Sequence, residues 1–208
     1  MLALIMAGGA GSRLNLGEKP LVSILGRPMI DYVISAFQDS GYDIVIITSL
    51  QTPYTGNWAR ALGYDVIRTS GVDYIKDLHE AVRILDVRDP FFTCVSDIPC
   101  LTADHIRTIH SSYSHSGKEA FSVWVPGSFR GKDPDYHYIG SVDGTDACPA
   151  GINILRGDLI DRPQVESTLL IRDRSLAFNV NTREDLEKVR VYLSELQENK
   201  VAGKDCKV

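Results

Sequence analysis

The sequence predicts a single α/β domain built on a mainly parallel sheet with helices on both faces. Three observations predict it. Short apolar runs at residues 2–7, 43–49 and 91–96 show no polar alternation, as in strands covered on both sides. Segments of helical period lie between them. Glycine or proline stands at most of the junctions.

The elements follow in order. Residues 2–7 form a strand that runs into Gly8, Gly9, Ala10 and Gly11. Residues 21–25 are a second short apolar piece, closed by Gly26. Pro28 opens a helix with Met29, Ile30, Val33, Ile34 and Phe37 on one face, and Gly41 stops it. Residues 43–49 are a buried strand, 53–62 a helix stopped by Gly63, and 66–68 a strand. Tyr74, Leu78, Val82 and Leu85 set a helical stripe over 73–85. Residues 91–96 lead as a strand into Asp97, Ile98 and Pro99. Thr102 is the expected N-cap of a helix reaching about Ser114. Residues 120–125 are a strand, 127–146 a loop or excursion, and 150–155 and 176–180 further strands. Thr182 and Asp185 form a variant capping box before a helix striped by Leu186, Val189, Leu193 and Leu196. The domain is expected to span 1–198, with a disordered polar tail at 199–208.

Composition removes several classes of function. The 208 residues carry 22 Lys and Arg against 27 Asp and Glu, a net charge of −5, so bulk attraction to nucleic acid or an anionic membrane is not expected. No apolar run approaches the ~18–20 residues of a membrane span. Cys94, Cys100, Cys148 and Cys206 lie too far apart for a zinc ribbon or a disulfide scaffold, which points to a cytoplasmic protein with reduced thiols. Ligands of such sheets sit beyond the carboxyl ends of the strands, at the switch point. The site is therefore expected among 8–19, 48–52, 70–74 and Asp97.

The glycine loop is neither of two common phosphate-binding types. A P-loop needs Gly-Lys followed by Ser or Thr; here Glu18 separates Gly17 from Lys19, and Pro20 follows. The dinucleotide fingerprint needs a third glycine where Leu14 stands. What remains is a run of glycines that lets main-chain N–H groups approach phosphates, with Arg13 and Lys19 as two cations on the same loop.

Residues 4–13, followed by Glu18, Lys19, Pro20 and Leu21, resemble the opening of nucleotidyltransferases that use a nucleoside triphosphate. Three later groups narrow the likeness: Thr69, Ser70 and Gly71 with Tyr74, Ile75, Asp77 and Leu78; Pro149 to Asn153; and Phe178 to Thr182 with Asp185 and Leu186. Together they are similar to the archaeal adenosylcobinamide-phosphate guanylyltransferases, and next to the molybdenum-cofactor guanylyltransferases. The likeness runs from residue 2 to about 193 and fades over 115–146. Ala10 stands where a basic residue is frequent, and Ser12 where Thr is frequent.

The resemblance implies a Rossmann-like, nucleotide-diphospho-sugar-transferase-like fold and transfer of GMP from GTP to adenosylcobinamide phosphate, a late step of cobalamin assembly. Molybdopterin or a sugar phosphate as acceptor, or a guanine-nucleotide-binding regulatory subunit, are the alternatives. It implies catalytic roles for Arg13, Lys19 and Asp97, with Asp97 holding Mg²⁺. It implies a nucleotide site from Ala7, Gly8, Gly9, Gly11, Ser12, Arg13, Lys19, Thr48, Ser70, Gly71, Gly151, Asn179 and Asn181. The partners would be GTP and a phosphorylated corrinoid, with a homodimer possible. Each residue has a plainer reading. Asp97 could cap the turn before Pro99, Gly151 could mark a bulge, and Asn179 and Asn181 could serve a turn. His105, His110 and His115 recur every five residues, a spacing that does not stack ligands on one helix face, and Trp58, Trp124 and Tyr136 are read as packing residues.

Overall fold

The computed structural model describes residues 1–9, 11, 13–130 and 140–201. Its first half is a set of strand–helix–strand units with parallel strands. β1 (Leu2–Met6) pairs in parallel with β4 (Asp43–Thr48), and β4 with β5 (Asp65–Arg68). The chain then returns to the other side of β1, where β6 (Pro90–Val95) pairs with it in parallel. The strand order reverses between β1 and β6, so the carboxyl ends of these two strands open a crevice.

Alternating side chains of β1 explain why both faces need cover. Ala3 and Ile5 pack with α1 (Met29–Gln38), α2 (Pro53–Ala61) and α4 (Ala103–Ser116) through Ile30, Ile34, Phe37, Ala59, Ile106 and Ile109. Leu4 and Met6 point the other way, onto Leu78, Ala81 and Val82 of α3 (Tyr74–Ile84). Each fully buried Ile, Leu or Phe among them contributes about 1.5–3 kcal/mol.

Between β1 and α1 lies a small hairpin, β2 (Ser23–Ile24) with β3 (Arg27–Pro28). Leu25 and Gly26 make its turn with φ of 47° and 83°, the two positive values that a tight two-residue hairpin requires. Val22, Ile24 and Met29 then join Leu14, Cys100, Val180, Leu186 and Val189 in a third core cluster. That cluster fastens the glycine loop to the C-terminal helix α5 (Arg183–Val201).

The second half is mixed. β7 (Ala120–Pro126), β8 (Gly140–Val142) and β9 (Thr145–Arg156) follow, and β9 lies antiparallel between β6 and β7. β10 (Glu166–Leu170) adds a parallel edge beside β7. Among the described residues the sheet has eight strands.

Four sequence expectations are corrected. The 127–146 segment is not wholly irregular: β8 and β9 form a hairpin there, turning at Asp143 and Gly144, both at positive φ. β10 had no sequence signal, because an edge strand with one exposed face needs no apolar run. Residues 176–180 are no strand. Asp173 accepts from Ser175 N at 2.8 Å and starts a 3₁₀ turn over Arg174–Ala177, which puts Leu176 into the core. The last helix continues to Val201, past the expected start of the tail at 199; residues 202–208, with Cys206, lie outside the described residues.

The remaining helix ends behave as read. Thr102 caps α4 by accepting from His105 N, and the His105 ring returns to the Thr102 backbone N–H. His105 thus closes a capping box, and His110 packs against Phe92 and Tyr42. Asp185 accepts from Thr182 N at 2.9 Å and from Asn181 N at 3.1 Å, as the Thr182–Asp185 pair predicted. Among the described residues no helix is long and apolar enough to cross a membrane.

Candidate active site

The crevice at the switch point is a cleft of about 480 Å³. Gly8, Gly9, Gly11, Arg13, Lys19 and Pro20 supply one wall, all from the loop after β1. Gln51 comes from the loop after β4, and Gly71, Val72, Asp73, Tyr74 and Asp77 from the turn into α3. Ser96 and Asp97 come from the end of β6, and Asn181 from the approach to α5.

Lys19 is the hub. Its Nζ donates to Asp97 Oδ2 at 2.5 Å and to Asn181 Oδ1 at 2.7 Å, so one ammonium joins three separate segments. The Lys19 and Asp97 side chains are only 13% and 17% exposed, which places the pair in a medium where charge interactions exceed those of a surface ion pair. Val180 N donates to the Asp97 backbone carbonyl at 3.0 Å, holding the Asn181 segment against the end of β6.

Two further contacts shape the loop. Gly11 has φ of +60°, and a Cβ there would run into the Lys19 side chain, so only glycine leaves Lys19 room to cross towards Asp97. Glu18 turns away from the cleft and accepts from Tyr54 N at 2.7 Å, Thr55 N at 2.6 Å and Thr55 Oγ1 at 2.6 Å. The first turn of α2 has no capping side chain of its own, so the Glu18 carboxylate takes that part and favours the positive end of the helix. The backbone of Lys19 is thereby pinned from the residue before it.

Across the cleft, Asp77 is buried and accepts from Gly71 N at 2.8 Å. Ser49 Oγ donates to Gly8 O at 2.7 Å and accepts from Gln51 N, tying the loops after β1 and β4 together. The Tyr74 hydroxyl shares a 2.8 Å hydrogen bond with Thr93, and burial of its phenol pushes the Tyr74 pKa up to about 12.

Of the expected residues, Gly8, Gly9, Gly11, Arg13, Lys19, Gly71, Asp97 and Asn181 meet in the cleft. Ala7, Thr48, Ser70, Gly151 and Asn179 do not line it. Ala7 extends β1, its N–H bonded to Ile47 O. Thr48 is buried under Gly56 of α2. Ser70 is exposed, its N–H bonded to Glu80. Gly151, at φ +84°, sits in the irregular stretch of β9, with Val95 filling the space where a side chain would stand. Asn179 flanks Val180 and has a buried, unpartnered Oδ1 among the described residues. Ser12, Ala10 and Tyr136 lie outside the described residues. Trp58 and Trp124 pack into the core clusters, as expected. Sequence reasoning missed Glu18 and Asp77 as site builders. Both stood among the residues that carry the resemblance, but neither was given a role: Glu18 read as a neighbour of Lys19, and Asp77 as an acidic residue in the first turn of α3.

The fit to a hard cation follows from the donor set. The cleft lining holds two cations, Arg13 and Lys19, and three carboxylates, Asp73, Asp77 and Asp97. A triphosphate would therefore need further positive charge. Asp97 Oδ1 is buried with no hydrogen-bond partner among the described residues, while Oδ2 is engaged by Lys19. One free carboxylate oxygen beside a phosphate cradle suits Mg²⁺, which takes one or two protein carboxylates and the rest from phosphates and water. Among the described residues no group of three or more acidic, His or Cys side chains could hold a metal by itself.

Residues 3–195 match the MobA-like NTP transferase domain. The chain belongs to that family. A curated relative is an adenosylcobinamide-phosphate guanylyltransferase of Methanocaldococcus jannaschii, 36% identical over 204 residues, the match covering 93% of this chain and 97% of the relative. Solved structures share the MobA-like fold at lower identity. A CMP-2-keto-3-deoxy-manno-octonic acid synthetase complexed with CTP superposes with a TM-score of 0.72 at 16% identity, over 94% of this chain and 98% of the other. A putative glucose-1-phosphate thymidylyltransferase from Bacillus anthracis gives 0.72 at 14%, over 92% and 95%. The fold is that of the nucleotide-diphospho-sugar transferases, and the chain is a nucleotidyltransferase.

Proposed function

We propose that this chain transfers GMP from GTP to adenosylcobinamide phosphate, giving adenosylcobinamide-GDP and pyrophosphate. One observation carries the reading: 36% identity to the M. jannaschii guanylyltransferase over nearly the full length of both chains. The cleft supports it with the parts that phosphoryl transfer needs.

A phosphate oxygen of the acceptor attacks the α-phosphorus of GTP. The new P–O bond forms as the bond from the α-phosphorus to the α–β bridging oxygen breaks, and that oxygen leaves on pyrophosphate. The acceptor phosphate is already mostly ionised near neutral pH, with a second pKa of about 6, so no side chain has to remove a proton. Catalysis is then positioning and charge stabilisation. The N–H groups of Gly8, Gly9 and Gly11 cradle phosphate oxygens, and Arg13 and Lys19 offset charge on the departing pyrophosphate. Asn181 and Asp97 hold the Lys19 ammonium in place before the nucleotide arrives. Asp97 is the residue that would hold Mg²⁺, which when bound neutralises phosphate charge and polarises phosphoryl oxygens.

The test uses purified protein, Mg²⁺ and α-³²P-labelled GTP with adenosylcobinamide phosphate, molybdopterin or a hexose 1-phosphate. Label in the corrinoid with equimolar pyrophosphate is the expected result. Label in molybdopterin or the sugar alone overturns the acceptor. Tight GTP binding without pyrophosphate from any acceptor overturns the enzyme reading in favour of a regulatory binding subunit.

A further inference from the structure

The cleft has a phosphate end and an opposite end, and strand order says which residues hold each. Asp97 follows β6, the glycine loop follows β1, Ser49 follows β4 and Gly71 follows β5, in the spatial order β6-β1-β4-β5. Asp97 and Gly71 therefore stand on opposite sides of the crevice, with the loops after β1 and β4 between them. With Lys19 and Asp97 at the phosphate end, the base lies over the ends of β4 and β5.

Few polar groups at that end remain uncommitted. Ser49 Oγ is taken by Gly8 O and Gln51 N. The Gly71 N–H is taken by Asp77. What faces the cleft is the Asp77 carboxylate, with the side chain of Gln51 and with Asp73, whose oxygens are engaged by Lys76 N and Lys76 Nζ. Asp77 is 7% exposed, and its Oδ2 lies 3.6 Å from where a Cβ on Gly8 would stand. The carboxylate is held in place on Oδ1 by Gly71 N at 2.8 Å and more loosely by Ser70 Oγ at 3.4 Å. It is a buried acceptor fixed against the cleft.

A carboxylate accepts and, ionised, cannot donate. Guanine offers it two adjacent donors, N1–H and the N2 amino group. Adenine and cytosine turn a ring lone pair to the same place, and uracil offers one N–H between two carbonyls. We propose that Asp77 is the specificity-determining residue for guanine, its carboxylate accepting from N1–H and N2–H. The inference rests on the guanylyltransferase reading and adds the group that selects the base. A site built around a substrate N–H rejects analogues that lack it far more strongly than a purely apolar pocket does.

The test compares GTP, ITP and XTP by calorimetric affinity and by turnover, in the wild type and in Asp77→Asn. ITP lacks the N2 amino group. XTP carries a carbonyl there, which Asn can serve as a donor and Asp cannot. Wild type should prefer GTP over ITP by about 10–100-fold, the loss of one hydrogen bond to a charged group. Asp77→Asn should lose that preference and gain at least about 10-fold for XTP relative to GTP. A gain for one analogue cannot come from a merely loosened fold. Equal wild-type affinity for GTP and ITP overturns the assignment without any variant, and so do unchanged GTP:ITP:XTP ratios in Asp77→Asn. Preferential GTP binding with no corrinoid turnover sinks the proposed reaction and leaves Asp77 standing.

Discussion

Replacing Gly151 with Ala tests whether this glycine serves the sheet or the nucleotide. The residue sits at φ +84°, where a non-glycine backbone costs about 1–2 kcal/mol. An added Cβ would stand 2.5 Å from Val95 Cγ2, and overpacking of this kind costs about 1–3 kcal/mol. Together Gly151→Ala should lose about 3 kcal/mol of stability, or about 6–12 °C in Tm for a domain of this size. Val95→Ala removes the colliding methyl groups, so the double variant should be less destabilised than the sum of the two single changes by about 1–3 kcal/mol. Urea and thermal melts of the four proteins measure this, with the KM for GTP determined in parallel. Because Gly151 does not line the cleft, the KM of the Gly151→Ala single variant should stay within about two-fold, a change of under ~0.5 kcal/mol; Val95 does line it, so the two Val95→Ala proteins serve the stability comparison only. Unchanged stability with a tenfold rise in KM would refute the reasoning and assign the glycine to close ligand approach.

Four other outcomes follow from the same geometry. Lys19→Met should lower kcat/KM by about 10²–10³-fold in the guanylyl-transfer assay while circular dichroism still shows a folded chain. Glu18→Ala should cost about 1–2 kcal/mol in urea unfolding through the lost cap of α2, and Glu18→Gln should recover part of it. Burial drives the Cys94 thiol far up and that of Cys100 to about 12, so a Cys206→Ser protein should react slowly with an aromatic disulfide at pH 8 and quickly once unfolded. Tyr74 ionises near 10 when unfolded and at about 12 when folded, so its contribution to stability is whole below pH 10 and is lost as pH rises from 10 to 12; urea midpoints of Tyr74→Phe should fall less over that window than those of the wild type.

The parallel half of the fold was legible because its strands are buried on both faces and leave unbroken apolar runs, as in 2–7 and 43–49. Its helices showed as stripes because each covers one face only, as Leu78 and Val82 do. The second half was read less well for equally physical reasons. Asp143 and Gly144 carried a hairpin signal, but the strands they join are short, and residues 131–139 interrupt the pattern. β10 is an edge strand without a continuous apolar face. In the site, the glycine loop, Lys19 and Asp97 could be found because charge and glycine cluster locally in sequence. Asn181 was paired with Asn179 and could not be separated from it, since only the Lys19 contact distinguishes them, across 162 positions of chain. Asp77 carried part of the resemblance but was given no role, because an acidic residue in the first turn of a helix already has an electrostatic reason to be there.

The 12-residue strand β9 has a consequence for synthesis on the ribosome. It is inserted between two strands made earlier, β6 and β7, and runs against both. Until Arg156 has left the exit tunnel, a nascent chain that has already paired β1, β4, β5 and β6 carries the backbone rim of β6 bare. Such a rim is a template for joining another polypeptide. The interval between the emergence of Val95 and that of Arg156 from the tunnel is therefore one in which this protein is exposed to chaperones and to self-association.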